Sequence, residues 1–480
     1  KELNLKTSDF FEIKLTNRGV ILNELIVKTD LFSKKLKNVS LATSILDDLE
    51  GRKSEGQFII KSLNQIPGIY THSAGYNTNR ITIRGMGSRS PYSTNKIKAY
   101  LNNIPLSNGV GETSIEDFGI DILDQVEINK GPNSSIYGSG LGGNIILKTS
   151  KNLNKNIKVK SIYKSFNTYQ NSISLSKTFN RLSLLFNFEK IKSDGYRDNN
   201  SYENNRIFTS INYEISDNYT LDFIHFSNSA DALIPSSLSF ENFINNPSSA
   251  AFSWRNVKGG EDYSRSVSGL TFNSKKDKYS SNTTMFIKTF YNNENRPFNY
   301  LIEDSKTFGI RHFGKSVLIP FDLSYGLEYS FQQYFFDTWD DFGSVNQSLL
   351  SRQSQERNNY NFFLQLDRSF KNSFFTFGIG SNKIIYNWVN EIESTTLSYN
   401  TKTILSPRIS YNHTLNNSSI FANVSHGFSP PNIDETLDEN GIVNPNIKPE
   451  TGWNYELGLI GTTRDNKLSY NFNFYYMDIR

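Results

Sequence analysis

At 480 residues the chain has room for more than one domain. Its 51 basic and 47 acidic residues are interspersed and leave a net charge of +4, which argues against a nucleic-acid partner, and with no cysteine there is no disulfide or thiolate site. The 36 Phe, 26 Tyr and 4 Trp need apolar surroundings, yet mean hydropathy is −0.50 and no apolar run approaches the roughly 18 to 20 residues of a membrane helix.

That combination fits a transmembrane β-barrel, whose strands alternate lipid-facing apolar residues with lumen-facing polar ones. A large soluble β-sandwich or propeller alternates in the same way. In chain order, residues 1 to 18 alternate at Phe11, Ile13 and Leu15 and read as the last strand of something that begins earlier. The β-prone run from Val20 to Thr29 follows; it offers itself as a strand for a partner to pair with, or as the first strand of the next domain. A helix is predicted from Ser54, with Ser54 and Gln57 as a capping box, Ile59, Leu63 and Ile66 on one face, and Pro67-Gly68 as its stop. Strands are then predicted at Ile69-Tyr70, Arg80–Gly85 and Lys96–Pro105, separated by polar loops at His72–Asn79 and Met86–Asn95.

Val126 to Ser150 reads as a strand, a turn-rich loop with five glycines, and a second strand from Asn144 to Thr149. Gly138, Gly140 and Gly143 match Gly-x-Gly-x-x-Gly, but the loop opens a strand instead of a helix, so no helix N-terminus is available for a pyrophosphate. Tight turns and close backbone packing account for the glycines. After Ser150 the period becomes two, as in Leu468-Ser-Tyr-Asn-Phe-Asn-Phe474, giving about 15 strands of roughly 10 residues. Short turns (Ser216–Asn218, Asn416-Asn417) contrast with long loops (Ile234–Glu261, Phe336–Gln355), and that asymmetry is itself barrel-like.

No catalytic constellation emerges. The histidines at 72, 225, 312, 413 and 426 are scattered, with no nucleophile motif around them and no metal-ligand spacing, so neither a catalytic nor a metal site is predicted. In Asn454–Leu459 the alternation turns Tyr455, Leu457 and Leu459 toward lipid and Glu456 toward the lumen.

An ordered series of motifs remains: Gln65-Ile-Pro-Gly-Ile69, Ile83-Arg-Gly85, Ala99-Tyr-Leu-Asn-Asn-Ile-Pro-Leu106, and Val126 through Gly131, Pro132, Tyr137 and Gly138 to Gly142-Gly143. Gly427-Phe-Ser-Pro430 and Ile447-Lys-Pro-Glu-Thr451 lead into Tyr455-Glu-Leu-Gly458. Together these resemble TonB-dependent outer-membrane receptors over essentially the whole chain. The resemblance implies a mixed α/β plug domain inside an antiparallel transmembrane β-barrel of the bacterial outer membrane, with about 15 of an expected 22 strands present. It divides the chain into 1–18 (end of an N-terminal region), 19–31 (a segment for TonB), 32–152 (plug) and 153–480 (barrel, expected to lack its last strands). The implied partners are TonB, outer-membrane lipid and a small chelate, most directly a ferric siderophore, with no cofactor and no nucleic acid. Rivals are a corrinoid or oligosaccharide receptor of the same class, a passive porin or surface adhesin, and an enzyme set in a barrel.

The resemblance also assigns residues. The TonB box falls on Glu24, Leu25, Ile26 and Val27. Arg84 on the plug lies where plug meets wall, as does Lys130, which stands where the family often has Arg. Glu456 is expected to bond one or both, because buried charges persist when paired. Tyr76, Arg89, Tyr92, Trp254, Tyr300 and Trp339 fall on predicted plug apices or long loops, where aromatic and Arg side chains suit flat, anionic chelates.

Overall fold

The computed structural model describes residues 26–28, 33–35, 39–46, 59–73, 79–90, 93–150, 156–340, 348–432, 435, 444, 446–463 and 467–480. At its start, β1 (Ile26–Lys28) pairs antiparallel with β2 (Ser33–Lys35). The first domain follows: β3 (Thr43–Leu46), α1 (Ile59–Leu63), β4 (Ile69–Ser73), β5 (Asn79–Ile83), β6 (Ile97–Leu101), β7 (Ile104–Pro105), β8 (Leu123–Lys130), α2 (Ser134–Tyr137) and β9 (Gly143–Thr149). Its main sheet has the order β3-β8-β9-β6-β7, antiparallel except for β6 beside β9, while β4 and β5 form a separate hairpin.

Ile and Leu dominate the interior of this domain. Ile59 and Leu63 on α1 pack with Ile83, Ala99, Leu101, Val126, Ile128, Ile145 and Leu147, all buried. The strands β6 and β9 are buried on both faces, which is why they read as apolar runs without alternation. The helix predicted from Ser54 is described only over Ile59–Leu63, and its proposed capping box lies outside the described residues. Two expectations are corrected. The loop placed at His72–Asn79 is shorter, because β4 continues to Ser73 and β5 starts at Asn79. The glycine loop contains one turn of helix, α2, between Pro132 and Gly138.

The rest of the chain is a single 16-stranded antiparallel sheet. Its strands are β10 (Asn156–Lys164), β11 (Thr168–Phe179), β12 (Leu182–Ser193), β13 (Tyr202–Ser216), β14 (Tyr219–Leu233), β15 (Gly260–Lys276), β16 (Tyr279–Asn295) and β17 (Tyr300–Leu318). They continue with β18 (Phe321–Trp339), β19 (Leu349–Phe370), β20 (Ser373–Asn390), β21 (Thr395–Asn400), β22 (Ile404–Thr414), β23 (Ser418–Ser429), β24 (Glu450–Thr462) and β25 (Ser469–Ile479). Each pairs with its sequence neighbour, except that β20 pairs with β21 along its upper half and β22 along its lower half. Two short helices, α3 (Phe240–Asn245) and α4 (Phe252–Asn256), sit in the connection between β14 and β15. Among the described residues no helix is long and apolar enough to cross a membrane; the strands carry the apolar band.

That band is legible on β24, where Trp453, Tyr455 and Leu457 point out and are exposed while Asn454 and Glu456 point in and are buried. On β19, Tyr360, Phe362, Leu366 and Phe370 form the exposed outer face near the short-turn end. Strand length departs from the expected ten: β19 runs for 22 residues. The long loop placed at Phe336–Gln355 is therefore mostly wall, since β18 reaches Trp339 and β19 starts at Leu349. Above the band both faces are wet, so Gln353-Ser-Gln-Glu356 is paired strand without apolar alternation.

Candidate functional site

The first domain is seated in the lumen of the wall and bonded to it along much of its circumference. Arg84 sits at the end of β5 with a left-handed backbone (φ 52°), its amide donating to Gly68 O at 2.8 Å. From there Nη2 donates to Glu456 Oε1 at 2.5 Å, Nη1 donates to Lys130 O at 3.3 Å, and the guanidinium lies 4.1 Å from the Tyr475 ring centroid. Both charged side chains are almost fully buried. Of the two cations expected at Glu456, Arg84 thus bonds it, and Lys130 Nζ donates instead to Pro67 O at 2.7 Å. Burial pulls the Lys130 ammonium down to about 8, helped by Arg84 and opposed by Glu456.

The motif glycines build this seat. At Gly143 (φ 130°) a Cβ would lie 2.1 Å from Asn129 O, and at Gly131 (φ 93°) it would crowd Asn454 and the Arg84 guanidinium, so both positions need glycine. Gly85 and Gly138 also have positive φ, and Gly142 abuts Met86. Pro132 lies against Gly427 of β23. The Tyr137 carbonyl accepts from Tyr100 Oη at 3.0 Å. The whole Lys130–Gly143 connection thus wedges between plug sheet and wall, with α2 against β19 and β20.

Several partners were not foreseen in the sequence. Lys98 Nζ reaches Glu328 Oε1 of β18 at 3.1 Å, and Arg311 of β17 approaches the other oxygen at 3.5 Å while lying over the Tyr100 and Tyr137 rings. Asp117 accepts from Tyr263 and from Asn228 at 2.9 Å, and forms an ion pair with Arg265 at 2.7 Å. Arg408 donates to Asn133 at 3.0 Å and to Ser40 O at 3.1 Å. Beside Asp117, burial and that neighbouring carboxylate push the Glu116 carboxyl up to about 7. A second kind of contact lies against β13 to β16, where Phe208, Ile224, Phe226, Val267 and Phe286 join the plug core; Phe118 stacks on Phe226 at 4.4 Å.

Toward the long-loop end, the plug turn at 107–112 meets the wall closely. Gly109 faces Tyr334, Gly111 faces the Arg357 guanidinium, and Val110 packs with Tyr334, Phe336, Trp388 and Leu397. Arg357 also lies over Tyr386 at 5.0 Å. The expected ligand residues are not gathered here. Arg89 is exposed on the plug, and Trp254 on α4 lies against Gly259. Tyr300 and Trp339 are strand residues that face each other across β17 and β18, correcting their placement in loops. Tyr76 and Tyr92 lie outside the described residues, as do Glu24 and Leu25, whereas Ile26 and Val27 belong to β1. Among the described residues no cluster of three or more His, Asp and Glu is arranged to hold a metal.

A folded body with its own core, wedged into a wall of outer-membrane type, defines a plugged β-barrel. Residues 137–480 match the family model "TonB dependent receptor-like, beta-barrel" and residues 35–144 match "TonB-dependent Receptor Plug Domain". The chain belongs to the TonB-dependent receptor family, β-barrel proteins of the bacterial outer membrane. The vitamin B12 transporter BtuB of Vibrio vulnificus is 21% identical over 208 residues, covering 41% of this chain and 33% of that protein. The chain thus spans about a third of the length of the curated relatives it matches. The same fold is seen in the unliganded ferric citrate transporter FecA, with a TM-score of 0.80 at 14% identity over 92% of this chain and 70% of that one. The siderophore receptor PiuA from Acinetobacter baumannii gives 0.76 at 14% identity over 96% and 75%.

Proposed function

We propose that this chain imports a scarce metal chelate actively across the outer membrane, a ferric siderophore first of all, using energy delivered through TonB. The observation that carries the reading is the seat itself: the plug fills the lumen and is tied to the wall from Lys160 of β10 to Glu456 of β24, so free diffusion is blocked and passage needs the plug to move. That argues against a passive porin. The aromatic wall of Tyr334, Phe336, Tyr386 and Trp388 with Arg357, packed against the plug turn at 107–112, has the side-chain chemistry best suited to a flat chelate. The reading includes no enzymatic step.

The run from Glu24 to Val27, whose last two residues open β1, is the candidate for the TonB-pairing segment. Ile26→Pro removes a backbone amide and is expected to abolish energised uptake while leaving ligand binding intact. Loss of binding as well makes the segment structural.

A corrinoid is the second reading, favoured by the alignments with the vitamin B12 transporters. Growth of a deletion strain of the whole gene on defined iron sources, with and without cobalamin, decides between them. Lost growth on a ferric chelate supports the first reading; unchanged iron use with lost cobalamin uptake supports the second, and no change in any uptake contradicts both.

A further inference from the structure

The two ends of the wall treat their cations differently. At the long-loop end, outward-facing cations sit beside carboxylates: Lys190 and Lys192 on Glu203 at 2.5 and 3.2 Å, and Arg352 on Asp337 at 2.8 Å. At the short-turn end they sit on aromatic rings. Lys177 Nζ lies 4.2 Å from the Phe179 centroid and Lys276 Nζ 5.7 Å from that of Tyr219. Arg368 lies 5.2 Å from Phe321 and Lys371 lies 5.8 Å from Phe370. All four cations are exposed, and among the described residues none of them makes an ion pair. The neighbouring turns balance when taken together, with Lys275, Lys278 and Arg181 against Asp277, Glu214 and Asp217, and Lys315 paired with Asp322 at 2.9 Å. The uncompensated charge is therefore carried by the four ring-mounted cations.

Position gives this charge a use. In outer-membrane barrels the short turns face the periplasm, so this rim lies at the headgroups of the inner leaflet. Aromatic rings settle at that depth and hold an apolar body against the acyl chains. A cation over the ring face is then carried to the level of the lipid phosphates, with its aliphatic stem in the apolar layer. A zwitterionic headgroup brings its own ammonium and gains little there; an anionic one brings uncompensated negative charge.

We propose that the short-turn rim is a docking surface for anionic phospholipid headgroups, with Lys177, Lys276, Arg368 and Lys371 binding the phosphates. The four lie on β11, β15, β19 and at the β19–β20 turn, so the surface is a belt around part of the wall and not one pocket. Its charge is complementary to a lipid surface that surrounds the barrel on every side.

The test embeds the whole receptor in phosphatidylethanolamine bilayers doped with phosphatidylglycerol and measures, by native mass spectrometry, the phosphatidylglycerol retained relative to the bulk. Enrichment is expected, falling by about fivefold for each cation removed. The quadruple variant Lys177→Gln, Lys276→Gln, Arg368→Gln and Lys371→Gln is expected to abolish it. If that variant does not insert, the single variants Lys276→Gln and Arg368→Gln are each expected to lower it. Lys276→Arg, which keeps the charge, preserves it, and Lys190→Gln with Lys192→Gln at the opposite end leaves it unchanged. Equal retention of both lipids by the unaltered receptor overturns the proposal. So does undiminished enrichment in the quadruple variant, or in both single variants.

Discussion

The plug meets the wall in two unlike sectors. Against β13 to β16 its core continues into the barrel: Phe118, Ile104 and Ile120 lie with Phe208, Phe226, Val267 and Phe286 in one large apolar cluster, alongside a buried ion pair, Asp117 with Arg265. Against β17 to β24 the partners are mainly charged: Lys98 with Glu328 and Arg311, Arg408 with Asn133, Arg84 with Glu456. Apolar burial is lost when the surfaces part, because water offers nothing in exchange. Ions and hydrogen bonds find substitutes in water, so their net contribution is small once both partners are rehydrated. The difference teaches where a plug can be loosened: at the charged sector, with the apolar sector as the fixed side.

The comparison breaks most visibly at the apolar sector. Phe226→Ala leaves a cavity under Phe118 and is expected to cost about 3 to 5 kcal/mol, read as a lowered unfolding midpoint that is insensitive to salt. At the charged sector, Glu328→Gln strips Lys98 and Arg311 of their buried carboxylate and is expected to cost about 3 kcal/mol, an effect that simultaneous Lys98→Met partly reverses. A double-mutant cycle on the unfolding transition measures that reversal, and its absence would mean that the pair does not act together. Glu456→Gln is expected to cost about 2 kcal/mol, since Arg84 keeps its bond to Lys130 O and its place over Tyr475.

The smallest effect is with pH. Glu116 has its folded value raised to about 7 from an ordinary 4.5, so the folded state holds the proton more tightly than the unfolded one. Stability from this group is fully present below the unfolded value and is lost as pH rises through about 7. Glu116→Gln is expected to flatten the pH dependence of the unfolding midpoint in that window by about 1 to 2 kcal/mol. An unchanged slope would show that Glu116 is solvated.

Much of this was readable in the residues, for reasons the two sectors make plain. Lumen-facing Glu456 is flanked by outward Tyr455 and Leu457, so alternation alone orients it. Arg84 follows from motif order, because the same loop that carries it ends at the seat. Lys98 and Glu328 lie 230 residues apart, and their meeting depends on how the plug is turned inside the barrel, which no local pattern encodes. Of the two cations expected at Glu456, Arg84 is the one that bonds it, while Lys130 is held by the Pro67 carbonyl, a backbone partner that no side-chain pattern displays. Tyr300 and Trp339 read as loop residues in the sequence because polar residues on both faces of the upper wall erase the period of two, although the two face each other on paired strands.

The most direct measurement uses the absence of native cysteine. Ser135 on α2 and Gly378 on β20 are placed so that a Cβ at 378 would lie 3.2 Å from the Ser135 Cβ, close enough for a disulfide after a small shift. With Ser135→Cys and Gly378→Cys the plug can be tethered at the charged sector by oxidation and released by a reductant. The account predicts that the oxidised receptor binds the proposed ligand normally but imports none, with uptake restored on reduction. Import by the oxidised receptor at the rate of the reduced one would contradict it.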